Sequence, residues 1–202
     1  MTLVGERISV KRLGLVEYAA ALQAMKEFNS RRTETTADEI WLLEHPPVYT
    51  LGQGADAATV ANGIPVVRSD RGGEITYHGP GQVVLYALID LARRGIKVKR
   101  FVWLLEQAAI DLLGGRGERR PGAPGVYVDG AKIAALGIRV SRGRAYHGLS
   151  LNVDMDLSPF SAIDPCGYPG LQVTDMRSLG FKDSISSVEE SLGKALMSRL
   201  DA

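Results

Sequence analysis

The sequence predicts an α+β fold, in which antiparallel hairpins build a sandwich and helices are inserted between them. A hairpin is indicated at Asp129-Gly130, which separates the apolar runs Val126–Val128 and Ile133–Val140. A wide apolar stripe from Phe101 to Leu113 indicates a helix that precedes this hairpin. The strict alternation of strand and helix that a doubly wound fold requires does not occur in the pattern.

The first half of the chain predicts one helix followed by short strands. Apolar residues recur at helical spacing from about Val16 to Asn29. A strand over Glu39–Leu43 should stop at His45-Pro46-Pro47, because proline cannot donate to a sheet ladder, and resume over Val48–Leu51. The continuous apolar run Val83–Ile89 predicts a central strand that is covered on both faces.

The second half predicts a strand with one apolar and one small polar face. Between Tyr146 and Val153, leucine and valine alternate with glycine, serine and asparagine, so the polar face could line a pocket. Prolines and glycines make Asp156–Gly170 irregular. The tetrapeptide Ser186–Glu189 reads as a capping box and predicts the start of a last helix that ends near Leu200.

Length and composition set the broad class. A chain of 202 residues fits one domain, so we expect residues 1–202 to form a single domain that buries roughly 70% of its unfolded surface. A net charge of +1, from 24 basic and 23 acidic side chains, argues against nucleic-acid binding. One cysteine excludes an intramolecular disulfide, and no apolar run approaches the ~20 residues that span a bilayer. We therefore expect a cytoplasmic protein that binds no membrane and no nucleic acid.

A glycine-rich stretch between two apolar runs has the composition of a binding loop or hairpin. Arg71–Gln82 contains four glycines and one proline, so another molecule can approach its amides closely. Polar side chains stand at its tip: Arg71, Thr76, Tyr77 and His78. A binding pocket combines such features, but the pattern leaves a plain connecting turn open as the alternative.

Cys166 and Lys132 are the candidate reactive pair. Cys166 is framed by proline and glycine instead of an apolar run, which favours a loop position over that of an inert core cysteine. A thiol attacks as the thiolate and needs a nearby cation or base. Lys132 opens an apolar strand and is either a solvated strand end or an ammonium held beside an anion. If it faces Cys166, it stabilises the thiolate and can accept and return a proton.

Other charged and titratable side chains allow further readings. His78 and His147 are rival bases, although each adjoins a glycine and could instead donate hydrogen bonds to a ligand. A zinc site built from His45, His78 and His147 would match no short-range ligand spacing. The five cations within Arg93–Arg100 form either a solvated surface or a patch that steers an acidic partner protein.

Four short motifs stand in the order of one known enzyme family. They are Glu-His-Pro-Pro-x-Tyr/Phe-Thr-Leu-Gly at Glu44–Gly52, Arg-Gly-Gly-x-x-Thr-Tyr/Phe-His-Gly-Pro-Gly-Gln at Arg71–Gln82, Lys-Ile-Ala-x-x-Gly at Lys132–Gly137, and Pro-Cys-Gly at Pro165–Gly167. With these motifs the chain resembles the lipoyl(octanoyl) transferases of the lipoate-protein ligase B type. One departure is Glu74, where many relatives carry glutamine. A carboxylate there should face solvent or pair with a cation.

The resemblance implies a biotin/lipoate ligase-like α+β fold, with a mixed β-sheet flanked by helices, and a cytoplasmic acyltransferase without cofactor or metal. The octanoyl donor would be acyl carrier protein, and the acceptor a lysine of lipoyl domains or of the glycine-cleavage H protein. Cys166 would carry the acyl thioester, and Lys132 would lower its pKa and shuttle protons. We expect a monomer. The implied acyl site consists of Arg71, Gly72, Gly73, Glu74, Ile75, Thr76, Tyr77, His78, Ala135, Leu136, Gly137, Gly148, Leu149 and Ser150.

Two other functions stay open at this level. An ATP-dependent lipoate or biotin ligase would activate a free acid as an adenylate and would need no cysteine. A docking module without enzymatic activity would hold an acyl carrier protein through the basic stretch Arg93–Arg100.

Overall fold

The computed structural model describes residues 8–56, 62–163 and 170–201. These residues form two β-sheets and three α-helices. The helices are α1 Tyr18–Arg31, α2 Val98–Leu112 and α3 Ile185–Leu200, and a short 3-10 helix covers Ser158–Ala162. The strands are β1 Ile8–Leu15, β2 Asp38–Glu44, β3 Val48–Leu51, β4 Val66–Arg68, β5 Ile75–His78, β6 Gln82–Asp90, β7 Glu118–Arg120, β8 Ala123–Val128, β9 Ala131–Ser141 and β10 Arg144–Asn152. Within these ranges no helix is long and apolar enough to cross a membrane.

The main sheet has seven strands in the order β1-β2-β6-β10-β9-β8-β7. Strand β1 pairs with β2 in parallel, and the other neighbours pair antiparallel. Helix α1 packs on one face of the sheet, and α2 and α3 pack on the other. The predicted mixed sheet flanked by helices is therefore confirmed.

Strand β6 is the buried strand that its apolar run predicts. All nine of its residues are buried. Val83, Leu85, Ala87 and Ile89 join the core on the α2 and α3 side, whereas Val84, Tyr86 and Leu88 join the core on the α1 side. Full burial of one such aliphatic side chain stabilises the fold by about 1.5–3 kcal/mol, so the strand contributes to both layers.

The second sheet, ordered β4-β3-β5, supports the glycine-rich stretch. Strand β5 lies within Arg71–Gln82, so part of that stretch is an antiparallel strand paired with β3. Tyr77 points away from the main sheet and packs with Tyr49 and Phe160. This aromatic cluster anchors the stretch from behind and leaves the opposite side of β5 for the site.

The start of α3 differs from its prediction. The N-cap is Ser184, whose Oγ accepts a hydrogen bond from the Ser187 amide at 3.2 Å. Ser184 has the extended backbone that a cap requires, while the predicted cap, Ser186, is already helical. Glu189 is buried on the helix and has no part in the cap.

Candidate active site

A cleft opens where β5 and the glycine-rich loop meet β9 and β10. Its floor is the small polar face of β10, including Gly148 and Ser150, which the sequence predicted as a pocket lining. The complete lining is Tyr18, Arg71, Gly73, Glu74, Ile75, Thr76, His78, Val84, Tyr86, Ala135, Leu136, Gly137, His147, Gly148, Leu149 and Ser150.

The cleft brings together every residue of the expected acyl site except two. The Gly72 amide instead donates a hydrogen bond to the Ile138 carbonyl at 2.9 Å. Tyr77 lies in the aromatic cluster behind β5. Tyr18, Val84 and Tyr86 also line the cleft, and no local motif marked them, because only the packing of α1 and β6 brings them there.

Arg71 holds the glycine-rich loop in place. Its guanidinium donates hydrogen bonds to the carbonyl and Oγ1 of Thr50 at 2.7 and 2.8 Å, and to the carbonyls of Gly72 and Glu74 at 3.0 and 2.9 Å. A planar fork of donors suits this set of oxygens. Arg71 is therefore a structural clamp at the mouth of the cleft as well as part of its lining.

Gly137 allows the loop to touch β9. A β-carbon at this position would lie 2.7 Å from the Gly72 carbonyl oxygen and 3.3 Å from Arg71 Cδ. Since real β-carbons do not approach oxygen so closely, the loop would have to move. The glycine of the Lys132–Gly137 motif thus fixes the width of the cleft.

Burial favours the neutral form of all three histidines, of which His78 and His147 line the cleft. Burial lowers the pKa of His45 to about 4 and lowers the pKa of His78 well below the ordinary value. His45 donates from Nδ1 to the Val16 carbonyl at 2.5 Å and accepts the Tyr86 hydroxyl at Nε2 at 2.7 Å. His78 donates from Nδ1 to Gln82 Oε1 at 2.7 Å. Both rings are thus held as uncharged hydrogen-bonding groups.

His147 is paired with a carboxylate. Its Nε2 donates to Asp70 Oδ1 at 2.8 Å, and Tyr146 donates to Asp70 Oδ2 at 2.5 Å. Burial lowers the pKa of His147 although Asp70 opposes the shift. Burial alone would raise the pKa of Asp70, but the hydrogen bonds from His147 and Tyr146 hold it below its usual range. The positive φ of 64° at His147 places its ring and that of Tyr146 side by side, with centroids 5.0 Å apart.

The three histidines do not form a metal centre. Among the described residues, no group of three His, Cys, Asp or Glu side chains has the geometry to hold an ion. His45 uses both ring nitrogens within the protein, as described above.

Lys132 is buried, which excludes the solvated strand end that the sequence left open as one of two readings. Only 3% of the residue is exposed, and its Nζ lies 5.4 Å from the centroid of the Tyr127 ring. It lines a small cavity, which shares Thr76 and Ala135 with the cleft. The lysine therefore lies at one end of the cleft, beyond Ala135.

Two backbone hydrogen bonds join Lys132 to a distant part of the chain. Its amide donates to the Gln172 carbonyl at 2.8 Å, and its carbonyl accepts the Thr174 amide at 3.0 Å. These bonds form an isolated parallel bridge between Lys132 and Val173. Cys166, the predicted nucleophile, lies outside the described residues, six positions before Gln172 in the sequence.

The basic stretch Arg93–Arg100 is divided by the fold. Arg94 Nε lies 2.6 Å from Asp38 Oδ2, and Arg93 Nη2 lies 2.9 Å from Asp38 Oδ1. Asp38 is fully buried and also bonds Arg32, so Arg93 and Arg94 belong to a group of three arginines that pair with one internal carboxylate. Only the part of the stretch that includes Lys97 and Lys99 is fully exposed surface.

Comparison with known proteins gives the fold and the site their context. Residues 17–197 match the family model of the lipoyl protein ligase A/B catalytic domain. The chain is 59% identical over 192 residues to an octanoyltransferase of Aromatoleum aromaticum, covering 93% of this chain and 83% of that protein. It is 55% identical to an octanoyltransferase of Dechloromonas aromatica, covering 95% and 96%.

Solved structures show the same fold at low identity. A bi-partite lipoate protein ligase from Thermoplasma acidophilum is 16% identical, with a TM-score of 0.74 over 95% of this chain and 83% of that one. A biotin protein ligase from Aquifex aeolicus is 10% identical, with a TM-score of 0.54 over 96% of this chain and 69% of that one. The biotin/lipoate ligase-like fold that the sequence predicted is confirmed.

Fold and site together define a member of the lipoate and biotin ligase fold group. The chain belongs to the lipoyl protein ligase A/B catalytic domain family, and within it to the octanoyltransferases. The predicted family and the predicted enzyme class, an acyltransferase of protein lipoylation, are confirmed.

Proposed function

We propose that this enzyme moves an octanoyl group from acyl carrier protein to a lysine of lipoyl domains and of the H protein through a thioester on Cys166. The observation that carries this proposal is the burial of Lys132 at the end of the cleft, bridged to the chain that follows the Pro-Cys-Gly motif. Cys166 lies six positions before Gln172, whose carbonyl accepts the Lys132 amide, and an extended segment of that length spans at most about 22 Å. The reach of the chain therefore permits the predicted pair to meet.

We infer that the buried Lys132 shuttles protons during the reaction. A buried ammonium favours a neighbouring anion, so it would lower the pKa of the Cys166 thiol. The Cys166 thiolate attacks the donor thioester carbonyl and expels the carrier's thiolate, which takes a proton from Lys132. The neutral Lys132 amine then accepts a proton from the acceptor ammonium. The acceptor amine attacks the acyl-enzyme carbonyl, the C–S bond breaks to release the Cys166 thiolate, and the amine nitrogen gives its extra proton to solvent as the amide forms.

This sequence of steps requires no ATP. Exchange of one thioester for another is nearly isoenergetic, and the final amide is more stable than the thioester. Glycine amides of the loop could stabilise the oxyanion, each donor contributing roughly 3 kcal/mol in other acyl transferases. We propose that the enzyme works without a cofactor.

The cleft suits an uncharged aliphatic chain. Burial lowers the pKa values of its two histidines, His78 and His147, which favours their neutral form. Its lining includes Ile75, Val84, Leu136 and Leu149, and each methylene that it buries contributes about 0.8 kcal/mol. We propose that the octanoyl chain runs from Lys132 along β9 and β10 into this cleft. The acyl-site residues within 71–78, 135–137 and 148–150 would then flank the octanoyl chain. Gly72 and Tyr77 would support the glycine-rich loop without lining the cleft.

We further propose that the enzyme acts as a cytoplasmic monomer formed by one domain. Its donor is a small acidic carrier, and Lys97, Lys99 and Arg100 are the exposed cations of the stretch that remain to attract it. This assignment replaces the larger patch that the sequence suggested, because Arg93 and Arg94 are bound to Asp38.

Intact-mass analysis after mixing the protein with octanoyl-acyl carrier protein tests the proposal. We expect one octanoyl adduct that hydroxylamine removes, and no adduct with Cys166→Ala. Adding an apo lipoyl domain should discharge the adduct onto that domain. An undiminished adduct in Cys166→Ala would refute the thioester, and turnover of free octanoate only with ATP would identify a ligase instead.

A further inference from the structure

Glycine at position 125 creates the space that Lys132 occupies. A β-carbon built on Gly125 would lie 2.6 Å from Lys132 Cε and 3.2 Å from Lys132 Nζ. The nearest backbone atom, the Ala134 carbonyl oxygen, would be 2.6 Å away. The two distances of 2.6 Å are shorter than real β-carbon contacts allow. A side chain at position 125 therefore cannot coexist with Lys132 in its observed position.

The backbone at Gly125 is also one that other residues avoid. Its φ of 138° lies in the range that L-residues rarely adopt. The position is held from outside the sheet by Glu106 of α2, whose Oε1 accepts the Gly125 amide at 3.0 Å. The other carboxylate oxygen of Glu106 accepts Arg119 Nε at 2.9 Å, so the buried charge is paired.

A bulge in β9 directs Lys132 toward this space. Gly125 pairs with Ala135 and Val126 with Ala134, but Tyr127 pairs with Lys132, so Ile133 is an extra residue on β9. Ile133 and Ala134 consequently both pack in the core, and Lys132 lines the small cavity together with Ile133 and Ala135. Bulges of this kind re-aim side chains beside active sites.

We propose that Gly125, clamped by Glu106, is a positioning residue that keeps open the path by which Lys132 reaches the end of the cleft. The inference rests on the proposed role of Lys132 in the reactivity of Cys166. Gly125 has no side chain and takes no chemical part in the proposed reaction. Because Gly125 has no side chain, the space beside Tyr127 is open to the alkyl chain of Lys132. The lysine can therefore lie across β8 toward the end of the cleft.

The test measures the rate of Cys166 alkylation against pH in Gly125→Ala, Lys132→Met and the double variant. We expect Gly125→Ala to slow alkylation near neutral pH about tenfold, which corresponds to a rise of one unit in the thiol pKa. The double variant should be no slower than Lys132→Met alone, because residues that act through one another are not additive. Additive losses, or an unchanged pH profile in Gly125→Ala, would overturn the proposal.

Gly122→Ala is the matched control. Gly122 has a φ of 78° and no atom within 4 Å of its ideal β-carbon, so the substitution carries a left-handed backbone penalty without a contact to Lys132. We expect its alkylation profile to match that of the unmodified protein.

If Gly125→Ala does not fold, Glu106→Gln takes its place in the same cycle, because it removes the charge that Arg119 pairs and loosens the clamp. We expect slower alkylation there too, and no further loss in the Lys132→Met background. An unchanged profile in Glu106→Gln would then refute the proposal. An unchanged profile in Lys132→Met would instead refute the proposed function itself.

Discussion

The guanidinium of Arg71 bonds four oxygens of the loop and of β3 from a position that is almost fully buried. A lysine ammonium could reach one or two of these oxygens but could not match the planar fork. Arg68, three residues earlier, is exposed and makes one long hydrogen bond of 3.5 Å to the Ala55 carbonyl. The two arginines therefore form a natural comparison.

We expect Arg71→Lys to lower the free energy of unfolding by about 2 kcal/mol, because buried hydrogen bonds to a charged group are lost. Arg68→Lys should change it by less than about 0.5 kcal/mol. Urea denaturation of both variants measures the difference. Equal effects would show that the loop does not depend on the Arg71 clamp.

At the level of single residues, the sequence identifies Lys132 as a candidate but does not show whether its side chain is solvated or buried. The choice depends on Tyr127, on the space at Gly125 and on the bridge to Val173, and the last of these is 41 positions away in the sequence. Similarly, no local signal shows that His147 pairs with Asp70. That contact depends on a left-handed residue within a strand.

Among the elements, those with a strong internal pattern were predictable. The run Val83–Ile89 gave the buried β6, and Asp129-Gly130 gave the β8–β9 hairpin, whose turn residues both have positive φ. Strand β1 was not predicted, because nearly all of it is exposed and the irregularity between Arg12 and Gly14 interrupts the alternation of its apolar residues. The bulge in β9 was also hidden, since it is defined only by the register against β8.

The N-terminus of α3 gives a direct test at the scale of an element. We expect Ser184→Ala to destabilise the protein by about 1 kcal/mol, because the Ser187 amide loses its acceptor. Ser186→Ala removes the hydroxyl of the cap that the sequence suggested and should cost only a few tenths of a kcal/mol. Thermal or urea unfolding of the pair decides between them. A larger loss in Ser186→Ala would contradict the assignment of Ser184 as the cap.

Across the whole molecule, buried histidines make stability depend on pH. The pKa of His45 falls from 6.5 to about 4 on burial, and the pKa values of His78 and His147 are also lowered by burial. The unfolded chain then binds more protons than the folded one between these two values. The contribution of the neutral His45 to the free energy of unfolding is therefore fully present above pH 6.5 and is lost as the pH falls toward 4.

We expect the free energy of unfolding to decrease by about 3 kcal/mol over this interval from His45 alone. Asp38 and Asp70, whose pKa values are lowered by their hydrogen-bond partners against the opposing effect of burial, should extend the loss to more acidic pH. Urea titrations at several pH values measure the slope. A constant stability between pH 6.5 and 4 would show that the histidines are not buried in neutral form.

The proximity of Cys166 and Lys132 is the central claim, and the pH profile of Cys166 alkylation tests it most directly. In the unmodified protein we expect a thiol pKa below the usual value of about 8.5, and in Lys132→Met a profile shifted to higher pH with slower alkylation near neutrality. Stability measured in parallel should fall less than reactivity. Identical profiles in the two folded proteins would contradict the pairing on which the mechanism rests.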